Sequence, residues 1–403
     1  MVELFELKTS MKSNLKLSIL TSSDFPYGMA MESFVRQLSL GLIANNIELE
    51  VVRLYGDRLN NLNDTNIRCS NYLFKKPMNI EFFKFLEVLF HVLFIPFFIS
   101  YRRLIKREHV IIMYGLDRAY FVFPITIFAK IFGIKIFRVN TEVYPYSSYA
   151  SNWWRKPLIL FNELQIKYFD KYLDGIIVLS HFLKKLEIKN GVREKKILLI
   201  PHFIDVNIAT NSECSVEKTK IDRIGYCGNP SIENGILDLI DAFIILDEKR
   251  KNNVELIIIG EIIPSVNQEI KKRILKNIIF TGKLNKSEVS IELQKCKVLV
   301  NPRRIGVSAD SGFPTKIGEY FAANKTVVAT EIGDLSLYFK DKQELVFAEP
   351  NSSVSICNAI DYVLQNKELS LQIAKRGNDW AINNLDYKKN SKKLIEFIFK
   401  NKL

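Results

Sequence analysis

The sequence predicts an α/β protein built on parallel β-sheets, and three observations support this class. Short aliphatic runs, such as residues 176–179 and 298–300, alternate with amphipathic helical stretches along the chain. Such alternation is typical of βαβ units, whose strands are buried on both faces. The chain has 403 residues, 48% of them hydrophobic, which is enough for two sizeable cores. No low-complexity segment or Pro/Ser-rich linker interrupts the pattern.

The N-terminal part of the chain predicts a first βαβ unit. Residues 14–55 contain an apolar strand, the loop SSDFPYGMA, an amphipathic helix and the strand ELEVVRLY. Gly28 and Ala30 in the loop would let the backbone approach a phosphate group closely. No G-x-G-x-x-G motif follows the strand, so the dinucleotide fingerprint is absent. Further along, residues 171–205 predict a strand, a helix with Ser180 as its N-cap, and another strand.

The most informative stretch is residues 298–334, VLVNPRRIGVSADSGFPTKIGEYFAANKTVVATEIGD. It predicts a strand, a glycine-containing loop, a helix and a second strand, so a ligand would lie where the loop enters the helix N-terminus. Free N–H groups, the helix dipole and cations suit a phosphate there, and a carboxylate one turn later suits sugar hydroxyls. The segment offers Arg303, Arg304, Ser311, Gly312, Thr315, Lys316 and Glu319.

The run SGFPTKIGEYFAANKTVVAT resembles the nucleotide-sugar site of family 4 glycosyltransferases. Within that family it is most similar to the bacterial polysaccharide-assembly branch, because residues 301–303 read Asn-Pro-Arg and residues 313–316 read Phe-Pro-Thr-Lys. An ordinary βαβ unit is the alternative, and it would accommodate any one of these residues but does not account for the whole string. The resemblance extends from about residue 15 to about residue 350.

This resemblance implies the GT-B fold. In that fold two Rossmann-like domains face each other with their parallel sheets across a cleft, and the C-terminal helix crosses back to the first domain. The donor binds mainly to the second domain and the acceptor to the first. The expected boundaries are 12–204 for the acceptor-side domain, 205–375 for the nucleotide-sugar domain and 376–403 for the C-terminal helices.

The resemblance also implies roles for individual residues. Glu319 would accept hydrogen bonds from the nucleotide ribose, although an ordinary surface glutamate is the alternative. Arg303 and Lys316 would act in catalysis by neutralising the diphosphate leaving group, together with helix N–H groups and without a metal ion. No cofactor is expected. The implied donor-binding residues are Gly28, Asn229, Ser311, Gly312, Phe313, Thr315 and Glu319.

Three positions depart from the wider family pattern. Ser311 stands where the family has its first Glu, and Asp310 beside it would substitute only if the loop turned it inward. Asn229 and Asn234 stand where the family has an Arg and a Lys in the first loop of the second domain. We expect Arg303 and Lys316 to supply the missing charge. The alternative is a catalytically silent relative that acts as a binding or regulatory subunit.

Glu142 is the third catalytic candidate, because it follows an apolar strand and would emerge at the strand's carboxyl end. Family 4 enzymes retain the anomeric configuration, and Glu142 would orient or deprotonate an acceptor hydroxyl. The alternative is a structural carboxylate satisfied by Arg138 or by tyrosine hydroxyls. Asp24 is a similar, weaker candidate.

The cysteines and histidines give no sign of a metal centre. The five cysteines form no C-x-x-C pair, and the four histidines are dispersed without ligand spacing. The cysteines read as reduced thiols of a cytoplasmic protein. Residues 2–20 lack an adequate apolar region for a secretory signal, so none is expected.

The net charge of +13 indicates an anionic partner. No nucleic-acid-binding module is recognisable, so a nucleic acid is not expected. Residues 80–107, IEFFKFLEVLFHVLFIPFFISYRRLIKR, have an aromatic-rich apolar core that is too short to span a bilayer, followed by a basic cluster. This pattern favours an in-plane segment on an anionic membrane surface. The alternative is a helix buried under the first sheet with a solvated basic end.

Together these features predict a retaining hexosyltransferase at the cytoplasmic face of the cell membrane. It would move a sugar from a nucleoside-diphosphate sugar to a glycan acceptor, with a lipid-linked acceptor favoured. The branch resemblance implies a capsule, O-antigen or exopolysaccharide context. A nucleotide-sugar epimerase on the same fold would need acid/base carboxylates and histidines in the cleft loops, where they are sparse.

Overall fold

The chain folds into two compact units in a computed structural model. The first unit comprises Met1–Phe203 and Tyr387–Leu403, and the second comprises Ile204–Asp386. The expected domain boundary at residue 375 therefore falls inside a helix of the second unit, Lys367–Asn384. The structure describes residues 15–23, 25–26, 30–54, 67–71, 81–116, 119–141, 165–206 and 221–401.

The first unit contains a seven-stranded parallel sheet with the strand order β3-β2-β1-β4-β5-β6-β7. The order reverses between β1 and β4, and such a switch point in an open α/β sheet opens a crevice at the carboxyl ends of the strands. The strands are β1 (Lys16–Thr21), β2 (Glu48–Arg53), β3 (Arg68–Asn71), β4 (Val110–Tyr114), β5 (Lys135–Asn140), β6 (Gly175–Val178) and β7 (Ile197–Leu199).

Helices cover this sheet and bury its apolar side chains. Strand β4 is buried at every position, as expected for a central parallel strand. The N-cap predicted at Ser180 is confirmed, because its hydroxyl accepts a hydrogen bond from the Leu183 amide at 3.1 Å. The helices are α1 (Ala30–Ala44), α2 (Glu81–Leu104), α3 (Ala119–Ile131), α4 (His181–Lys189) and the C-terminal α13 (Tyr387–Lys400), with a π-helical turn at Gln165–Phe169.

The C-terminal helix α13 packs on α1 in the first unit. A Cβ atom at Gly41 would lie 2.1 Å from the Ser391 hydroxyl, so the two helices approach closely only because residue 41 is glycine. Asn390 donates a hydrogen bond to the His202 carbonyl at 2.8 Å, which fixes the helix beside the end of the first unit. The chain thus leaves the first unit after Phe203 and rejoins it at Tyr387.

The second unit contains a six-stranded parallel sheet with the strand order β10-β9-β8-β11-β12-β13. Its switch point lies between β8 and β11, so the loops that follow these two strands are where a ligand is expected. The strands are β8 (Asp222–Cys227), β9 (Val254–Ile259), β10 (Ile278–Gly282), β11 (Val298–Asn301), β12 (Thr326–Thr330) and β13 (Val346–Ala348).

A hydrophobic core lies between the second sheet and the helices that pack on it. Ile236, Ile240 and Phe243 of α5 lie fully buried against the strands. The helices are α5 (Ile236–Lys249), α6 (Pro264–Ile270), α7 (Lys286–Lys295), α8 (Val307–Ser311), α9 (Thr315–Ala322), α10 (Leu335–Tyr338), α11 (Ser353–Gln365) and α12 (Lys367–Asn384).

Helix α2 carries the segment predicted to contact a membrane, and the structure changes the interpretation of its basic end. Within the described residues, no helix has the length and apolarity to cross a bilayer. Arg102, expected to face lipid, is buried and forms ion pairs with Glu108 and with Glu50, the latter at 2.7 Å. Lys106 and Arg107 remain exposed. The apolar part of the helix is only partly buried, since Ile95 and Ile99 enter the core whereas Leu93 and Phe97 stay exposed.

Arg102→Ala should destabilise the protein strongly. The substitution leaves the carboxylates of Glu108 and Glu50 without their buried cation, and breaking a buried pair in this way costs about 3–5 kcal/mol. Denaturant unfolding followed by circular dichroism measures the change. The neighbouring exposed Lys106→Ala is the control and should stay within about 0.5 kcal/mol of wild type. Equal stability of the two variants would contradict the burial of Arg102.

Candidate functional site

The candidate site lies at the switch point of the second sheet. It is formed by the loop after β8, the loop after β11 and the first turn of α9. Two glycines bring these segments together. A Cβ atom at Gly228, where φ is 137°, would lie 2.1 Å from Cε of Lys316. A Cβ atom at Gly235, where φ is 72°, would lie 1.8 Å from the Pro302 carbonyl oxygen. Only glycine fits both the conformation and the space at these positions.

Lys316 is held inside this site by a tyrosine. Its Nζ atom donates a hydrogen bond to the Tyr226 hydroxyl at 2.7 Å and lies 4.3 Å from the centre of the same ring. The Tyr226 hydroxyl in turn donates to the Asn229 carbonyl at 2.6 Å. The loss of water around the ammonium, opposed in part by nearby acidic groups, lowers the pKa of Lys316 to about 8. The group therefore carries a positive charge at neutral pH.

A second tyrosine fastens the same helix one turn later. The Tyr320 hydroxyl accepts a hydrogen bond from the Cys227 amide at 2.9 Å and donates to the Cys227 carbonyl at 3.1 Å. Lys316 and Tyr320 lie four residues apart and so share one face of α9. The end of β8 and the start of α9 are thus bound through two side chains. Neither tyrosine was among the site residues predicted from the sequence, because their roles depend on contacts between β8 and α9.

Glu319 lies between these two anchors in sequence but is exposed. It lies three residues after Lys316 and so neighbours it on the helix surface, and its charge acts on Cys227 at the end of β8. Its charge also acts on Lys316, since it is among the groups that oppose the fall in the Lys316 pKa. The first turn of α9 therefore combines a partly buried cation with an exposed carboxylate.

Arg303 and Arg304, which follow β11, make different contacts. Arg304 donates two hydrogen bonds to Asp238, at 2.6 and 2.7 Å, and so ties this loop to the first turn of α5. Arg303 is half-buried, and its backbone carbonyl accepts a hydrogen bond from the Thr330 hydroxyl at 2.5 Å. The charge of Arg303 lowers the pKa of Lys316, so the two cations act on each other. Arg304 is structural, whereas Arg303 faces the candidate site.

The loop that enters α9 is anchored by an aromatic side chain. Phe313 is 3% exposed and packs against Trp380 and Tyr338, with ring centres 6.2 and 5.8 Å away. No side chain of the described segments caps the N-terminus of α9, which begins after Pro314. The amides of Thr315 and Lys316 at this terminus are therefore suited to an anion.

The three departures from the family pattern have distinct structural settings. Ser311 is fully buried, Gly312 is buried beside it, and Asp310 is half-buried. Asn229 is exposed, and its contribution comes from its carbonyl, which accepts from the Ser231 amide and the Asn234 side chain, both at 3.0 Å. The two asparagines thus shape the loop after β8.

Two of the predicted site residues, Gly28 and Glu142, lie outside the described residues, as does Asp24. Arg138, considered as a partner for Glu142, is buried and forms an ion pair with Asp170. His202 is also buried, which lowers its pKa to about 4, so it is neutral and structural. Within the described ranges no group of three or more His, Cys, Asp or Glu side chains could hold a metal ion.

Comparison with known proteins finds a family match within the second unit. Residues 208–380 match the family model of glycosyl transferases group 1. This part of the chain is therefore similar to the group 1 glycosyltransferases. An uncharacterized glycosyltransferase of Methanocaldococcus jannaschii is 25% identical over 228 residues, which are 56% of this chain and 60% of that protein. O-antigen chain mannosyltransferase C of Escherichia coli is 29% identical over 130 residues, which are 32% of this chain and 34% of that protein.

The fold of the whole chain is also recognised. The crystal structure of Anabaena HepE in complex with UDP and glucose superposes with a TM-score of 0.71 at 14% identity, covering 96% of this chain and 99% of that one. Such low identity establishes the fold alone. With two parallel-sheet α/β units, the chain has the GT-B fold, which confirms the predicted fold class.

Gly235→Ala should destabilise the second unit more than Gly282→Ala. Both glycines have a left-handed φ, 72° and 69°, but a Cβ atom at Gly282 meets nothing within 4 Å. The Gly282 variant should cost only the conformational penalty, about 1–2 kcal/mol. The Gly235 variant should cost a further 1–3 kcal/mol or so, because the Pro302 carbonyl must move. Thermal or denaturant unfolding compares the two, and equal losses would contradict the close packing of the loops.

Proposed function

We propose that this protein is a glycosyltransferase that transfers a sugar from a nucleoside-diphosphate sugar to a glycan acceptor with retention of configuration. The observation that carries the proposal is the position of Lys316, a cation held by Tyr226 at the uncapped N-terminus of α9. A diphosphate placed there would meet an ammonium, a helix dipole and backbone amides together. The structurally similar Anabaena HepE, whose crystal structure holds UDP and glucose, supports a nucleotide-sugar donor.

The proposed chemistry depends on stabilising the leaving group. As the bond between the sugar and the diphosphate breaks, negative charge grows on the diphosphate. Lys316 and Arg303 would neutralise that charge, and the amides of the first turn of α9 would bind the phosphate oxygens. This set of fixed charges would act without a metal ion or another cofactor. Glu319, one turn into the helix, would accept hydrogen bonds from the ribose hydroxyls.

The acceptor side of the proposal rests on sequence alone. Glu142 would orient or deprotonate the acceptor hydroxyl. Ser311, Gly312, Phe313 and Thr315 would contact the donor through their backbone, and Gly28 would allow close approach of the phosphates. The O-antigen chain mannosyltransferase among the similar proteins supports a role in cell-surface polysaccharide synthesis, for which we propose a lipid-linked glycan as acceptor.

We further propose that the protein acts at the cytoplasmic face of the membrane, attached to its surface through α2. Supporting this, one face of α2 exposes Leu93, Phe97 and Leu104 at 64, 66 and 67%. Lys106 and Arg107, rather than Arg102, would provide the charge at the end of the helix. Each such basic side chain contributes about 1 kcal/mol near an anionic surface.

Glu319→Ala should weaken donor binding by about ten- to a hundredfold, because hydrogen bonds to a charged group are worth about 1.5–3 kcal/mol. Calorimetric titration with UDP-, GDP- and TDP-sugars measures the loss. Glu368→Ala is the matched control, since Glu368 is also an exposed glutamate on a helix of the second unit. If the Glu319 variant binds every sugar nucleotide as wild type does, its assignment to the ribose is wrong.

Donor affinity should fall as the pH rises through about 8. Below that pH Lys316 is protonated and attracts the diphosphate, and above it the amine becomes neutral, following its lowered pKa. Each pH unit above the pKa would then weaken binding by up to about tenfold.

Two variants test whether this pH dependence belongs to Lys316. Lys316→Met should bind weakly at pH 7 and show no additional loss above pH 8. Asn229→Ala should keep the wild-type profile, because the residue acts through its carbonyl rather than its side chain. Wild type and variants are titrated in the same buffers, so the ionisation of the ligand affects every profile equally. A Lys316→Met profile parallel to wild type would place the diphosphate elsewhere.

A further inference from the structure

The first unit exposes an apolar surface that extends from α2 onto α3. Helix α3 buries Val122 and Ile125 in the core but exposes Phe123, Ile127 and Ile131 at 43, 40 and 67%. The two helices pack directly against each other. Exposed apolar patches of this kind mark interaction surfaces rather than ordinary solvent-facing helices.

A groove lies beside α3, between this helix and residues 165–173. Its volume is about 240 Å³, and its walls are formed mainly by apolar side chains. Phe123 and Phe169 meet edge to face at its side, with ring centres 4.7 Å apart. The lining residues are Val122, Phe123, Thr126, Ile127, Lys130, Phe169, Asp170, Tyr172 and Leu173.

The two buried polar side chains of the lining are already bound to other groups. The Thr126 hydroxyl donates to the Val122 carbonyl at 2.7 Å, one turn earlier in the same helix. Asp170 is 1% exposed and is ion-paired with Arg138 behind the groove. The groove therefore presents hydrocarbon to an occupant, and a sugar or a nucleotide would gain little from it.

The mouth of the groove carries lysines beside exposed tyrosines. Lys130 and Lys171 lie 5.5 and 5.3 Å from the centre of the Tyr172 ring, and Lys167 lies 5.2 Å from that of Tyr168. Tyr168 and Tyr172 are 46 and 52% exposed. Tyrosine rings and long basic side chains are typical of the headgroup level of a membrane, where each has an apolar part and a polar end.

The carboxylates near the mouth of the groove form ion pairs with other residues. The lysines there therefore give the mouth a positive charge. Asp174 forms an ion pair with Lys135 at 3.1 Å, and Asp170 is paired with Arg138. Lys130 and Lys171 thus place two ammonium groups beside Tyr172 in the lining of an apolar groove, and Lys167 lies two residues before the lining residue Phe169. This arrangement complements a molecule with an anionic head and a hydrocarbon tail. A phospholipid has this chemistry, and α3, which forms one wall of the groove, packs against α2.

We propose that this groove takes part of one acyl chain of an anionic phospholipid while Lys130, Lys167 and Lys171 contact the phosphate of its headgroup. This inference rests on the membrane attachment proposed above and extends it from α2 to α3 and residues 165–173. The protein would thereby hold a single lipid at a fixed position in addition to lying on the bilayer.

The test uses vesicles of phosphatidylcholine with and without phosphatidylglycerol, the latter carrying a diazirine in one acyl chain. After irradiation, mass spectrometry locates the cross-links on the full-length protein. We expect cross-links within residues 122–131 and 165–173 and binding that requires phosphatidylglycerol. Ile127→Glu should remove these cross-links and weaken vesicle binding at least tenfold. Ile274→Glu, an exposed isoleucine of the second unit at 83%, is the matched control and should change neither.

The possible failures are distinguishable. Cross-links confined to α2 would overturn the groove proposal while leaving membrane attachment intact. Labelling of residues 142–164 with no effect of Ile127→Glu would show that another segment of this chain covers the groove. If neither variant nor wild type binds anionic vesicles, both the groove and the membrane attachment are wrong. Sugar-nucleotide titration of each variant reports on the donor site separately, so these outcomes leave the proposed glycosyl transfer unaffected.

Discussion

The hydrogen bond from Lys316 to Tyr226 is the constraint on which the candidate site depends. It joins the first turn of α9 to the end of β8 and places an ammonium where two loops and a helix N-terminus meet. Tyr320 repeats the attachment one turn later through the backbone of Cys227. Both anchors lie on one face of α9, and Glu319, three residues after Lys316, lies next to that face and is exposed. A partly buried cation and an exposed carboxylate therefore follow from a single helix orientation.

Much of this arrangement could be predicted from the sequence. The strand, loop and helix at residues 298–322 follow from hydrophobic periodicity, and the helix start after Pro314 follows from local chemistry. The fold class follows from the regular alternation of strands and helices. These are local signals, and they are strongest where the strands are buried on both faces, as in β11 and β12.

What the sequence did not reveal depends on contacts between distant residues. Arg303 and Arg304 are adjacent and chemically identical, yet only Arg304 meets Asp238, because α5 begins beside the end of β11. In the sequence, Arg102 belongs to a basic cluster that was expected at the surface. In the structure, strand β2 places Glu50 beside it, and the two side chains form an ion pair. Tyr226 interacts with a lysine far along the chain. In each case the partner is fixed by strand order, which local patterns do not encode.

The same reasoning bears on the two cations that this chain lacks in the loop after β8. An Arg at position 229 would add charge and keep the backbone carbonyl that organises the loop, whereas a Lys at position 234 would replace the amide side chain that donates to that carbonyl. Here the Asn229 carbonyl accepts from the Tyr226 hydroxyl, and the Asn234 side chain donates to that carbonyl as well. The loop is therefore organised around the same tyrosine that holds Lys316. Charge at the site comes from Lys316 and Arg303 on the neighbouring segments, and the loop supplies the framework that keeps Lys316 in position. Loss of the two loop cations is thus compatible with a site that still binds an anion.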